Sequence, residues 1–383
     1  MRLLPPWSRA PLLGLRQPAA VLAVLVTTAI LACAVASAPL FLSSARSAAL
    51  QQQLAPQCPE AAWPLVGVSV GAPVGDRAAE LAAAPQDAWS AEGRDSVPAL
   101  VVASGLGAAG NRQQGVPTTR ADGTALSQPT TLFWRPGAVE NIEQLSSTGG
   151  PGVWVPASYA QAAGVTAGGT LQVGGVPTPV AGTYTDLFDT VPDDYWCDLE
   201  PLFSNPTSAD VPPPALLLAT DEQTLVDLAA GARGSLQSSA QVRVDGSTLT
   251  SSRAVALGAL TDRALARLPD IPREDGGRFA GPRLADAADR AQLLESGLRG
   301  PVVPVAVAGG LLALVLVAAA GSFWADRRAT EVRLLAARGV GPVPLAGKAA
   351  LELGLPALAG AAVGWAASRV LVGGLGPAPE LDP

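Results

Sequence analysis

Histidine is absent from this chain of 383 residues, and its three cysteines, Cys33, Cys58 and Cys197, form no CxxC pair. Imidazole chemistry is therefore excluded: no Ser-His-Asp triad, no His-ligated zinc, no histidine base. A thiol metal site or redox motif is not expected either. The densest carboxylate run, DTVPDDYWCDLE at 189–200, holds five acids. A calcium loop needs alternating carboxylates around a central glycine. This run has neither and reads as a solvated acidic loop. The single lysine, Lys348, sits in Gly347-Lys348-Ala349, with no hydroxyl after it and no correctly spaced glycine before it. A phosphate-binding loop needs both. No catalytic residue, metal or cofactor is expected, and the chain does not read as an enzyme.

The cluster that remains is RRATEVRLLAARGVG, 327–341, with Arg327, Arg328, Arg333, Arg338 and Glu331. As one helix, Arg327, Arg328, Glu331 and Arg338 fall on about a quadrant to a third of the wheel, with Arg333 opposite. Glu331 lies three and four residues after Arg328 and Arg327, so intrahelical pairs are expected. An anchor at a membrane face explains the arginines alone. It does not require Glu331, the apolar Leu334 and Leu335, or the stop at Gly339. A short helix of mixed charge with exposed leucines suits docking into the groove of a partner.

Apolar segments surround this link. Residues 19–42 and 301–325 carry no charge, and 349–372 carries Glu352 near its start and Arg369 near its end. Each is long enough to cross a bilayer as a helix. The first has a second reading, a cleaved secretory signal ending near AVASA; its length favours an uncleaved helix. Glu352 lies four residues after Lys348, so pairing or snorkelling at the membrane face is expected. Mean hydropathy is positive, although the net charge is −7.

Arginine placement sets the orientation. Residues 1–18 hold three arginines and no acid, whereas 43–299 holds 16 arginines against 27 acids. The N-terminus and the 326–348 link are expected in the cytoplasm, and 43–299 and the 373–383 tail outside a cell membrane crossed several times. A nucleic-acid partner is not expected. The expected fold is an α-helical membrane protein with a large α+β extracytoplasmic domain between the first two membrane helices.

Within that domain, 99–104, 130–135, 152–157, 215–220 and 241–245 read as strands. Residues 169–186 read as a hairpin turning at Gly174-Gly175. Residues 158–164, 221–231, 253–268 and 284–299 read as helices, with Ser158 and Asp221 as N-caps. If Gly297 and Gly300 do not break it, the last of these is a rod running into the second membrane segment. The patches at 105–129, 204–214 and 269–283 read as loops, and VPPP at 211–214 as a rigid linker. Cys58 and Cys197 either pair in an oxidising compartment or remain two thiols; sequence alone leaves both open.

The order of helix, large outer domain, helix and link, with Arg327-Arg328-Ala329-Thr330-Glu331-Val332-Arg333-Leu334-Leu335-Ala336-Ala337-Arg338-Gly339, resembles the FtsX-like (MacB-type) permeases of ABC transporters. A second patch, VWVPASYAQAAGVTAGGTLQVGGVPTPVAGTYTD at 153–186, is similar to that family's strand, short helix and hairpin, with Gly169 where an Asp is usual. Glu352 matches the family's common start of the third helix. The resemblance implies a MacB-like periplasmic core and a dimer of permeases, homo- or heteromeric. It also implies a cytoplasmic ABC ATPase docked on Arg327, Arg328, Glu331, Arg333, Leu334, Leu335, Arg338 and Gly339. The implied function is export of a lipid-linked or peptide substrate, or mechanotransmission. The alternative is a membrane-anchored extracellular binding protein, or a fragment, without ATP coupling. Such permeases usually carry a fourth helix, so a truncated or partial chain is expected.

Overall fold

The structure is a computed structural model that describes residues 18–103, 115–128, 130–189, 193–203, 214–232, 234–272, 275–281, 283–339 and 341–378. The chain divides into two units, a sheet unit of Gln53–Leu249 with Arg253–Ala287, and a helical unit of Met1–Gln52, Thr250–Ser252 and Ala288–Pro383.

The sheet unit holds one mixed, curled sheet. Its strands are β1 (Leu65–Val70), β2 (Val97–Ala103), β3 (Thr118–Arg120), β4 (Thr130–Trp134), β5 (Gln144–Ser147), β6 (Val153–Pro156), β7 (Thr170–Val173), β8 (Val176–Tyr184), β9 (Ala215–Ala219), β10 (Ser235–Gln241) and β11 (Gly276–Ala280). They run in the order β11-β1-β10-β2-β4-β9-β6-β8-β7-β3, with β5 added on β8. The pairs β4–β9 and β6–β8 are parallel, and the other ladders are antiparallel.

Strand β9 shows why alternation is weak at the centre. Leu217 joins Leu132, Val153, Leu236 and Leu225 on one face, while Leu216 and Leu218 join Phe133, Trp154 and Trp196 on the other. A strand covered on both faces reads as a continuous apolar run. The first face packs against α2 (Ala78–Ala91), whose Trp89 is fully buried and donates from Nε1 to Ala240 O at 3.0 Å. Burying an indole calls for such a partner.

Several sequence expectations change here. The strand expected at 241–245 is β10, six residues earlier, because Leu236, Ser238 and Ala240 face the core. Ser238 is accommodated by donating its hydroxyl to Ala82 O at 2.8 Å. The loop expected at 105–129 contains β3, bridged onward by Thr119 and Ala125; its residues 105–114 and 129 lie outside the described residues. The loop expected at 269–283 contains β11. Of the expected linker 211–214, only Pro214 is described. Ser158 is not an N-cap. The helix α3 (Ala157–Ala163) starts one residue earlier, and Asp186 accepts from Ser158 N at 2.9 Å and from its hydroxyl at 2.6 Å. A remote carboxylate thus does the work of the cap. Asp221 does cap α4 (Glu222–Gly231), accepting from Thr224 N at 2.8 Å. The hairpin β7–β8 turns at Gly174 and Gly175, with φ of 57° and 89°, a left-handed pair that side chains disfavour.

The helical unit contains α1 (Pro18–Leu54), most of α6 (Arg283–Arg327), the short α7 (Ala329–Ala337) and α8 (Pro342–Leu375). Its first turn of α5 (Ser251–Arg267) is bound by Ser47, whose hydroxyl accepts from Ser251 N at 3.0 Å. Among the described residues, three helices are long and apolar enough to cross a membrane, over Pro18–Leu54, Asp286–Arg327 and Ala349–Leu375. Helix α1 runs on to Leu54, past the expected end at residue 42, since 43–54 holds no glycine or proline. Helix α6 is unbroken, so the segments expected at 284–299 and 301–325 are one helix. Pro301 and Pro304 lie inside it, and the carbonyls they leave without N–H donors belong to Gly297 and Gly300. These carry no side chain to add to the proline crowding.

Helices α1 and α8 approach backbone to backbone. A Cβ placed on Gly360 would overlap Leu25 O and Thr28 Oγ1, and one on Gly364 would overlap Ala29 O. Small residues four apart permit this contact between membrane-length helices. Beyond it, the buried Ser44 hydroxyl donates to Ala378 O at 2.9 Å and accepts from Ala378 N at 3.0 Å.

Candidate functional site

The arginine-rich link is two pieces of helix, and the break changes the role of its arginines. Helix α6 ends at Arg327, and Arg328 N closes a tight turn on Ala325 O at 3.1 Å. Helix α7 then begins, with Val332 N donating to Arg328 O at 2.9 Å. Arg327 therefore belongs to the membrane-length helix, where its guanidinium stacks on Phe323 at 4.7 Å. The single charged face expected for Arg327, Arg328, Glu331 and Arg338 does not form, because a continuous helix was its premise.

Arg328 turns inward. Its guanidinium sits 5.2 Å over the ring of Trp324, 2.5 Å from Glu352 Oε2 and 3.5 Å from Glu331 Oε2. Its side chain is 10% exposed and that of Glu352 is 0% exposed. Glu352 is paired with an arginine 24 residues earlier in the chain; the Lys348 side chain, its expected partner, lies outside the described residues. Removing one member of such a pair costs roughly 3–5 kcal/mol, because the other charge is left buried.

What α7 presents outward is narrower than sequence suggests. Glu331 and Leu334 are exposed, three residues apart on one face of α7, and Arg338 lies in the turn after its last residue. Arg333 is exposed as well. Leu335 lies on the same helix, its side chain outside the described residues. Gly339 ends the link with φ of 81°, where a side chain would be strained. The arrangement offers one acid, one leucine and one arginine on a helix of nine residues, with a second arginine in the turn that follows, and Arg328 fixes its root.

A second constellation lies within the sheet unit. Cys58 and Cys197 are joined in a disulfide with Cα atoms 5.6 Å apart. The bridge ties down a 3₁₀ helix, Asp194–Leu202, that covers the second face of the sheet. Trp196 is its fully buried centre, donating to Asn141 O at 2.6 Å and meeting Phe203 edge-on at 6.1 Å. Arg135, 5% exposed, reaches Asp198 at 3.0 Å and Glu60 at 3.8 Å, with Tyr195 stacked on it at 5.0 Å. Burial pushes the Glu60 carboxyl above its ordinary range, and Asp198 adds to the rise while Arg135 opposes it. Burial likewise pushes the Tyr195 phenol up, against the pull of Arg135. Sequence reasoning missed Arg135 and Glu60, because their partners lie far off in the chain. Asp198 belongs to the run read as a solvated loop, yet its side chain is only about a tenth exposed and pairs with Arg135. Among the described residues, no group of three or more carboxylates and cysteines is placed to hold a metal.

No protein-family model and no curated protein matches this sequence.

Proposed function

We propose that the chain is the membrane subunit of an FtsX/MacB-type ABC system, in which a separate cytoplasmic ATPase docks on α7. The observation that carries this reading is the link itself. A nine-residue helix between two membrane-length helices exposes Glu331, Arg333 and Leu334 while its root arginine is held inside. A membrane anchor needs cations at that position, not an exposed acid and leucine. The orientation proposed puts α7 in the cytoplasm and the sheet unit outside. The Cys58–Cys197 bridge is in keeping with that side, since disulfides persist in oxidising compartments. ATP-driven motion would then move the outer domain, to export a lipid-linked or peptide substrate or to act mechanically on an outer partner. Two such subunits, identical or different, complete the proposed assembly.

The test is a pull-down of the tagged chain in mild detergent from its native cell, with mass spectrometry of co-purifying proteins. A stoichiometric ABC ATPase is expected, lost on combining Glu331→Arg with Arg338→Glu while the permease stays inserted. An inserted, folded protein that brings down no ATPase overturns the proposal and leaves a membrane-anchored binding protein.

A further inference from the structure

The buried pair between Arg328 and Glu352 is turned away from the exposed face of α7, which Arg328 touches only through Glu331 at 3.5 Å, and it is costly where it lies. Membrane-length helices rarely carry a carboxylate without a function. A buried ion pair adds little net stability compared with an apolar pair of the same volume, and its best-attested use is to fix one register among several. Here it joins the turn between α6 and α7 to a point on α8, ten residues after the first residue of that helix. Trp324 holds the guanidinium from the α6 side, so the arginine is seated between the two helices. Glu352 lies eight residues before Gly360 and twelve before Gly364, about 12 and 18 Å along the axis. At those glycines α8 presses directly on the backbone of α1.

We propose that Arg328 and Glu352 are positioning residues that pin the root of α7 to α8. A push on α7 is then delivered into α8, and through the Gly360 and Gly364 contact into α1, as well as along α6. Without the pin, the root of α7 loses its charged tie to α8. This rests on α7 being the docking helix, but the pin itself is testable without any ATPase.

The experiment uses the full chain in lipid nanodiscs, with Cys33→Ala to remove the free thiol and spin labels at Ala337 and Leu355, both exposed. Pulsed electron paramagnetic resonance reads the distance between α7 and α8. One narrow distance is expected for the parent, its loss in Arg328→Gln and in Glu352→Gln, and its return in the swapped Arg328→Glu/Glu352→Arg pair. A narrow distance kept by both single variants overturns the proposal, as does a swapped pair no narrower than the singles. Should Glu352→Gln fail to insert, Arg328→Gln and Arg328→Lys carry the comparison, with Lys restoring part of the order. Co-purification separates the two readings. Glu352→Gln leaves Glu331, Arg333, Leu334 and Arg338 in place, with Arg328 still beside Glu331, and is expected to keep the ATPase. Absence of any ATPase from the parent sinks the docking reading and leaves the distance result standing.

Discussion

Replacing Arg135 by glutamine is the sharpest probe of the sheet unit. The side chain is nearly buried, and two carboxylates depend on it, Asp198 at 3.0 Å and Glu60 at 3.8 Å, each about a tenth exposed. Removing the cation leaves two acids facing each other with no counter-charge. The loss of one partner from a buried charge pair costs about 3–5 kcal/mol, and the stacking on Tyr195 adds about 0.5–1 kcal/mol. The cheapest relief is a proton on Glu60, whose pKa burial already raises. A raised carboxyl pKa means that the folded state holds the proton better than the unfolded chain. The corresponding stability is complete below the unfolded pKa and is lost as pH rises through the folded one. Loss of Arg135 removes a lowering influence, so in the variant that window extends further upward. The destabilisation is therefore expected to be about 3 kcal/mol or more at pH 7 and to shrink on acidification towards pH 5. Denaturant unfolding of the full chain in detergent, at both pH values, measures it. A variant within about 0.5 kcal/mol of the parent at pH 7 would refute the argument. So would a gap that widens on acidification.

Three further perturbations follow from the same geometry. Cys58→Ser with Cys197→Ser opens a loop with a sequence separation of 139 residues; a loss of about 2–5 kcal/mol is expected in the same unfolding assay. Gly364→Val places a side chain against Ala29 O; α1 and α8 must part, and faster proteolysis of the inserted chain is expected, whereas Gly374→Val, with open space around it, leaves the rate unchanged. Asp221→Ala removes the α4 cap and is expected to cost about 1 kcal/mol by denaturant unfolding, while Asp221→Asn keeps most of it.

The parts legible in the sequence are those whose physics is local. The long apolar runs, charge-free in α1 and α6 and nearly so in α8, mark these helices because each meets a length requirement by itself. The β7–β8 turn shows in Gly174-Gly175, and the start of α4 in Asp221, because turn and cap act within a few residues. What stayed hidden is non-local or broke a local rule. Helix α2 carries Pro85 in its interior, which reads as a breaker, and so went unseen. Strand β1 carries Gly67, which weakens a strand pattern; a Cβ there would overlap the Phe279 ring and Ser238 O. The Gly360 and Gly364 contact hides in an all-apolar stretch, where nothing distinguishes a packing glycine from a tolerated one. The link was legible in composition but not in shape. Arg328 looks like its neighbours until a turn and a carboxylate 24 residues away draw it inward.

Strand pairing also dictates an order of events during synthesis. Strand β1 ends at Val70, yet its two neighbours in the sheet are β10, which begins at Ser235, and β11, which begins at Gly276. An N-terminal strand made early thus waits with one edge open while about 165 more residues appear and with the other open for about 200, roughly 10–40 s at ordinary ribosome speeds. The apolar side chains of Val66, Val68 and Val70 stay exposed to any passing chain for that interval. Completion of the sheet falls to the last strand before α6 is made. Expression yield of this protein should accordingly respond to holdase chaperones in the compartment where the sheet folds, more than to any change in its finished stability.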